Sequence, residues 1–255
     1  MGAVEGIIFD WAGTTVDYGS FAPVQAFVEV FKHFGIEPTM EEVRKPMGML
    51  KIDHIRTMLK MERIENCWKE NYGRTPCDDD AKELYGHFEE KLFGILSRFA
   101  TPKPGVVDVV RALKERGIAV GSTTGYTEKM MEIVTPLARD MGYAPDAMVT
   151  PDDVGGMGRP YPYMIFKNME LLKLGDVRKV IKVGDTISDI KEGKNAGVRS
   201  LGVVVGSSQM GLTQEEYENL SPREALEKCE KVRQEFLEAG ADQVIMNMEE
   251  LLELI

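Results

Sequence analysis

Short apolar runs recur along the chain at 6–9, 118–122, 147–150, 180–183, 200–205 and 243–246, each followed by turn or polar residues. Runs this short, rich in Val and Ile, predict strands of a parallel sheet covered on both faces. Between them the apolar positions recur at helical spacing. The stretch 106–116 stops at Gly117, and 221–240 carries Ser221 as N-cap, Pro222 at the first helical position, Glu224 two residues further on and Gly240 after its end. Asn247 with Glu250 repeats the capping pattern for a last short helix. Strands alternating with helices predict an α/β fold, a doubly wound parallel sheet that binds ligands at the carboxyl ends of its strands.

One segment departs from this alternation. Residues 20–99 show helical periodicity alone, over 21–34, 50–61 and 80–98, punctuated by Gly35, Gly48 and Gly73-Arg74-Thr75-Pro76. This predicts a helical cap inserted after the first strand, with 1–19 and 100–255 forming the core. The turn-rich ends, Asp17-Tyr18-Gly19-Ser20 and Ala100-Thr101-Pro102-Lys103-Pro104-Gly105, suit a two-stranded hinge.

Composition narrows the function. A chain of 255 residues, 43% apolar and 29% charged, can bury a sizeable core. Its net charge of -11 argues against nucleic acid or an anionic membrane as partner, so an anionic substrate must be met by local donors. Three cysteines without CxxC spacing signal neither a disulfide framework nor structural zinc. The start, Met1-Gly2-Ala3-Val4-Glu5, lacks the regions of a secretion signal, and no apolar run has the roughly 18 residues of a membrane span. The expectation is a cytoplasmic protein.

Four predicted strand ends carry polar residues: Asp10, then Ser122-Thr123-Thr124-Gly125, then Gly158-Arg159-Pro160, then Gly184-Asp185-Thr186-Ile187-Ser188-Asp189. In a parallel sheet these ends converge on one crevice, which would surround a phosphoryl group and Mg2+. Carboxylates suit the metal, while Thr124, the Gly125 amide and Arg159 can hold phosphoryl oxygens, leaving Asp10 to attack phosphorus. Taken singly, Asp10, Thr124, Asp185 and Asp189 also read as turn or capping residues, and Arg159 and Lys51 as solvated charges. Their shared register favours the chemical reading. On the predicted helix 50–61, Lys51, His54 and Met58 share one side while Ile52, Ile55 and Leu59 line another. A Lys beside Met residues could be desolvated, which lowers its pKa and suits it to Schiff-base formation.

The motifs DWAGTTVD, STTG, GRPYP and GDTISD, in that order and with a helical insertion after the first, resemble those of the haloacid dehalogenase superfamily of aspartyl-nucleophile phosphotransferases. The resemblance covers nearly the whole chain. A phosphatase of that superfamily carries DxD in the first motif, where this chain has Ala12 and so lacks the usual general acid. DWAGTTVD with MGMLKIDHI and GRPYPYM is similar to one member family, the phosphonoacetaldehyde hydrolases. That resemblance implies cleavage of a P–C bond to acetaldehyde and phosphate, with Mg2+ and a homodimer built through the cap. It implies Asp10 as nucleophile and Lys51 as the Schiff-base lysine. It also implies Asp10, Asp185 and the Ala12 carbonyl as metal ligands, with Asp189 in support. Thr124, Gly125 and Arg159 would bind the phosphoryl group, and Met47, His54 and Tyr126 would shape the aldehyde side. Ser20 departs from the Cys expected in relatives.

Two other functions fit parts of the pattern. A capped phosphatase or phosphomutase acting on esters would need an acid where Ala12 stands. A phospho-acceptor signalling module also places Asp, Thr and a base on strand ends, but an insertion of about 80 residues is long for such a switch.

Overall fold

A computed structural model describes residues 3–255; Met1 and Gly2 lie outside the described residues. The six expected strands form one parallel sheet: β1 (Gly6–Phe9), β2 (Ala119–Thr123), β3 (Ala147–Val149), β4 (Val180–Gly184), β5 (Arg199–Val203) and β6 (Gln243–Ile245), in the order β3-β2-β1-β4-β5-β6. β1 pairs with β2 on one side and β4 on the other, Phe9 standing level with Ser122 and Val183. The direction of winding reverses beside β1, so its carboxyl end opens onto the crevice of the switch point. Ile7, Ile8 and Phe9 are fully buried, as a central strand covered on both faces requires.

Between β1 and β2 the chain builds the helical cap from α1 (Phe21–His33), α2 (Met40–Arg44), α3 (Lys51–Leu59), α4 (Glu62–Tyr72) and α5 (Asp78–Ile95), ending in a 3-10 turn, Leu96–Phe99. The short α2 and the strongly polar α4 are additions to the three helices read from periodicity. α2 is held by a capping box between Thr39 and Glu42, and α4 buries Ile64 and Trp68. Phe27 stacks on Phe88, joining α1 to α5. The two linkers run side by side: Asp17 N donates to Thr101 O at 3.3 Å, and Lys103 N donates to Thr15 O at 2.8 Å.

The core is completed by α6 (Val106–Glu115), α7 (Glu128–Asp140), α8 (Tyr163–Leu171), α9 (Ile187–Ala196), α10 (Gln214–Glu218) and α11 (Pro222–Glu238). The Ser221 and Glu224 side chains form the expected capping box at the start of α11. The last helix differs from expectation. Met248–Glu253 is a 3-10 helix, Asn247 makes no side-chain cap, and Glu250 instead accepts a hydrogen bond from Met246 N at 3.0 Å. No described helix is long and apolar enough to cross a membrane.

Candidate active site

The carboxyl ends of β1, β2 and β4 and the start of the cap enclose a small cavity lined by Asp10, Ala12, Ser20, Met47, Gly48, Lys51, Thr124, Gly125, Tyr126, Arg159 and Thr186. At about 20 Å³ it has room for roughly one water. The cap is therefore closed over the strand ends. Gly48 makes this fit possible: its φ of 84° lies in the left-handed region, and a Cβ there would stand 2.3 Å from Thr186 Oγ1. Ser188 Oγ adds a hydrogen bond to Met47 O at 3.1 Å.

Asp10 ends β1 with its carboxylate almost buried. Arg159 Nη2 donates to its Oδ1 at 2.6 Å, and Thr14 Oγ1 lies 3.5 Å from its Oδ2. Thr14 Oγ1 also donates to Asp185 Oδ1 at 2.9 Å, and Ser208 N donates to Asp185 Oδ2 at 2.7 Å. The loop after β1 wraps closely around Asp185, because a Cβ at Gly13 would lie 2.1 Å from its Oδ2. Burial, then the charges of Asp10 and Asp189, push the Asp185 carboxyl well above the usual carboxylate range.

Asp10, Asp185 and Asp189 each offer a carboxylate oxygen, and these atoms lie within 4.8 Å of one another. Three buried carboxylates this close together could hold a divalent cation, whose preference for oxygen ligands they match. Asp189 is already committed. Its Oδ2 accepts from Thr186 Oγ1 at 2.6 Å in the cap of α9, and its Oδ1 lies 3.1 Å from Arg159 Nη1 and 3.0 Å from Lys182 Nζ. Burial opposes ionisation of Asp189, but Arg159 and Lys182 outweigh it and hold its carboxyl below the ordinary value. Asp185, with no ion pair of its own among the described residues, is the carboxylate freest to hold a cation, and Asp10 keeps its Oδ2 clear of the Arg159 contact.

Lys51 is the first residue of α3, and it is buried. Burial lowers its ammonium pKa from 10.5 to about 8, with Asp10 opposing that shift and Arg159 aiding it. The positive end of the α3 dipole acts in the same direction as burial. Its Nζ stands 5.1 Å from the ring centroid of Tyr126, which donates its backbone N–H to Thr124 Oγ1 at 3.1 Å. Met47, Thr124, Gly125 and Tyr126 all reach the cavity as expected.

His54 does not line it. Three residues beyond Lys51 on α3, its imidazole is fully buried and stacks on Phe27 at 3.8 Å between centroids. Burial and then the Lys51 charge lower its pKa well below 6.5, so the neutral ring packs the cap beneath Lys51. Ser20 is buried at the cavity wall with φ 54°, and its side chain does not cap α1. Asp17 performs that role, accepting from Phe21 N at 2.9 Å and Ala22 N at 3.0 Å.

Two charged residues, Lys182 and Glu192, escaped the motif reading. Thr123, Lys182 and Glu192 lie fully buried beneath the cavity. Lys103 Nζ donates to Gly13 O at 2.5 Å and Val205 O at 2.9 Å, fixing the loop after β1 from the hinge. The buried Lys inside β4 was the one available sequence signal, an isolated charge within an otherwise apolar run.

A buried carboxylate at the switch point, a guanidinium against it, a carboxylate cluster and a helical cap fit a haloacid dehalogenase-like hydrolase, and the family model of that description matches residues 4–197. The chain is 54% identical over 252 residues to phosphonoacetaldehyde hydrolase of Bacillus mycoides (strain KBAB4), covering 99% of this chain and 95% of that protein. It is 52% identical to the bifunctional phosphonoacetaldehyde hydrolase/aminoethylphosphonate transaminase of Clostridioides difficile (strain 630), again over 99% of this chain but 40% of that longer protein. A crystal structure of a phosphonoacetaldehyde hydrolase-like protein from Oleispira antarctica superimposes with a TM-score of 0.96 at 40% identity, covering 99% of this chain and 91% of that one. The chain belongs to the phosphonoacetaldehyde hydrolase family.

Proposed function

We propose that the protein hydrolyses the P–C bond of phosphonoacetaldehyde, giving acetaldehyde and phosphate. The observation that carries this reading is a buried lysine, Lys51, sharing a nearly dry cavity with Asp10 while Ala12 stands where an ester phosphatase keeps its acid. The names of the relatives supply the substrate.

With its pKa near 8, Lys51 holds a useful fraction of free amine at neutral pH. The amine adds to the aldehyde carbon and water leaves, forming an imine that is protonated to an iminium. Asp10 attacks phosphorus, and the P–C electron pair moves into the enamine as the iminium nitrogen becomes neutral. No oxygen leaving group needs a proton in this step, so Ala12 costs nothing. Arg159, Thr124 and the Gly125 amide are suited to hold the phosphoryl oxygens. Protonation at carbon and addition of water then free acetaldehyde and Lys51, and a second water hydrolyses the aspartyl phosphate.

The metal is proposed to be Mg2+, held by Asp10, Asp185 and the Ala12 carbonyl with Asp189 in support; it would neutralise charge on the phosphoryl oxygens. Cap opening must admit the substrate, since the closed cavity is too small. The reading also places the enzyme in the cytoplasm, which suits its free Cys67, Cys77 and Cys229. A homodimer through the cap belongs to the same proposal. Sedimentation of the wild type against charge-bearing variants of the exposed cap residues Met40 and Tyr72 tests that contact.

Borohydride trapping with phosphonoacetaldehyde and Mg2+, followed by peptide mass mapping, tests the chemistry. The expected result is a two-carbon adduct on Lys51, with phosphate release in parallel samples lacking borohydride. Absence of the adduct, with phosphate released from simple esters instead, would replace this reading with a capped phosphatase.

A further inference from the structure

Arg159 lies on an irregular segment between β3 and α8, yet its guanidinium is buried and held along every edge. Nη2 donates to Asp10 Oδ1 at 2.6 Å and Thr123 Oγ1 at 2.7 Å. Nη1 stands 3.1 Å from Asp189 Oδ1, and Nε donates to Glu192 Oε2 at 2.9 Å. A planar guanidinium fixed at Nε has its Nη2 edge aimed, so Glu192 sets the direction in which Arg159 meets Asp10.

Glu192 is itself fixed from below. Its Oε2 accepts from Thr123 Oγ1 at 3.1 Å and lies 3.3 Å from Lys182 Nζ. Lys182 Nζ also donates to Thr123 Oγ1 at 2.8 Å and stands 3.0 Å from Asp189 Oδ1. Asp189 and Glu192 sit three apart on α9 and so share one face, toward which β4 presents Lys182. Two cations and three carboxylates are thereby packed together in the buried layer under the cavity. Asp10, Asp189 and Glu192 would repel one another around Arg159 alone, and Lys182 supplies the second positive charge.

We propose that Glu192 and Lys182 are positioning residues for phosphoryl transfer, a buried pair beneath the active site that aims Arg159 at the phosphoryl group. Neither touches the cavity, and both act through Arg159 and Thr123. The inference rests on the proposed role of Arg159 in phosphoryl binding, not on the identity of the carbon skeleton.

Three variants test it: Glu192→Gln, Glu192→Asp, and the charge-neutral double variant Glu192→Gln/Lys182→Met. Affinity for inorganic phosphate in the presence of Mg2+ is measured by calorimetry, with kcat and KM for phosphonoacetaldehyde and the melting temperature alongside. Glu192→Asp keeps the charge but withdraws the carboxylate by one methylene. It should stay folded and weaken phosphate binding about tenfold or more, with a matching loss in kcat/KM. The double variant should recover thermal stability relative to Glu192→Gln while phosphate affinity stays low, because charge balance returns but aim does not. Trapping of acetaldehyde on Lys51 by borohydride should be unaffected in all three. If the variants lower the melting temperature alone and bind phosphate as the wild type does, the pair is structural and the proposal fails. If phosphate affinity falls as expected while no variant or wild type cleaves phosphonoacetaldehyde, the positioning role stands and the substrate assignment falls.

Discussion

Desolvation of Lys51 depends on the cap closing without a gap, and Gly48 is where that dependence can be tested. Alanine at position 48 would carry a Cβ 2.3 Å from Thr186 Oγ1, at a φ of 84° that an L side chain rarely adopts. Gly48→Ala should therefore hold the cap away from the strand ends and let water reach Lys51. The closed site holds the ammonium pKa near 8, against 10.5 for a solvated lysine. At pH 7 the free amine is then roughly 10% of the closed population and about 0.03% of a fully solvated one, a ratio of roughly 300. The assay is the rate of borohydride-trapped adduct formation with acetaldehyde, which reports imine formation without phosphoryl chemistry, measured from pH 6 to about pH 11. For the wild type the rate should climb about tenfold per pH unit below a midpoint near 8. In Gly48→Ala the midpoint should move toward 10.5, with the rate at pH 7 lowered by up to about 300-fold and recovered at high pH. A wild-type midpoint near 10.5, or a variant that keeps the midpoint near 8 with its cap displaced, would refute burial as the source of Lys51 reactivity.

Lys51→Met should abolish adduct formation yet raise the melting temperature at pH 7. The unfolded chain binds the lysine proton between pH 8 and 10.5 while the folded chain does not, so stability rises with pH across that window. The buried ammonium thus costs about 3 kcal/mol at pH 7, and the advantage of Met should shrink as pH approaches 10.5. Ala12→Asp introduces an acid at the cavity wall and should raise phosphate-ester turnover about 100-fold while depressing phosphonoacetaldehyde cleavage, both read by phosphate release. Saturating Mg2+ should raise the wild-type melting temperature, by about 2.7 kcal/mol of stabilisation at 100 times its dissociation constant, and Asp185→Asn should lose that shift.

The sheet was legible because each strand is buried on both faces and therefore apolar throughout, and the four polar motifs sit where those strands end. Lys51 was legible through its motif; its burial was not, since periodicity places Lys51, His54 and Met58 on one side of α3 without saying what covers that side. Phe27 of α1 covers it and turns the His54 ring into the cap interior, away from the cavity. Lys182 was hidden for a related reason. Its partners Thr123, Asp189 and Glu192 come from β2 and α9, and no local pattern announces that a charge within β4 is matched from two other elements. Ser20 shows the limit of local capping rules: it precedes α1, but a left-handed backbone at Asp17, Gly19 and Ser20 brings the Asp17 carboxylate back to the helix start.

The same closure that dries Lys51 also bears on Asp185. Arg44, at the end of α2 in the cap, donates from Nη1 to Gly19 O at 2.9 Å and to Ser208 O at 3.0 Å. The Ser208 N–H is the donor that holds Asp185 Oδ2. The cap thus grips, through Arg44, the loop that orients a carboxylate of the metal cluster, while its Met47-Gly48-Met49 segment seals the opposite wall. Lifting the cap would break the Arg44 bonds and wet Lys51 in one movement, raising the lysine pKa as the Ser208 loop loses its restraint.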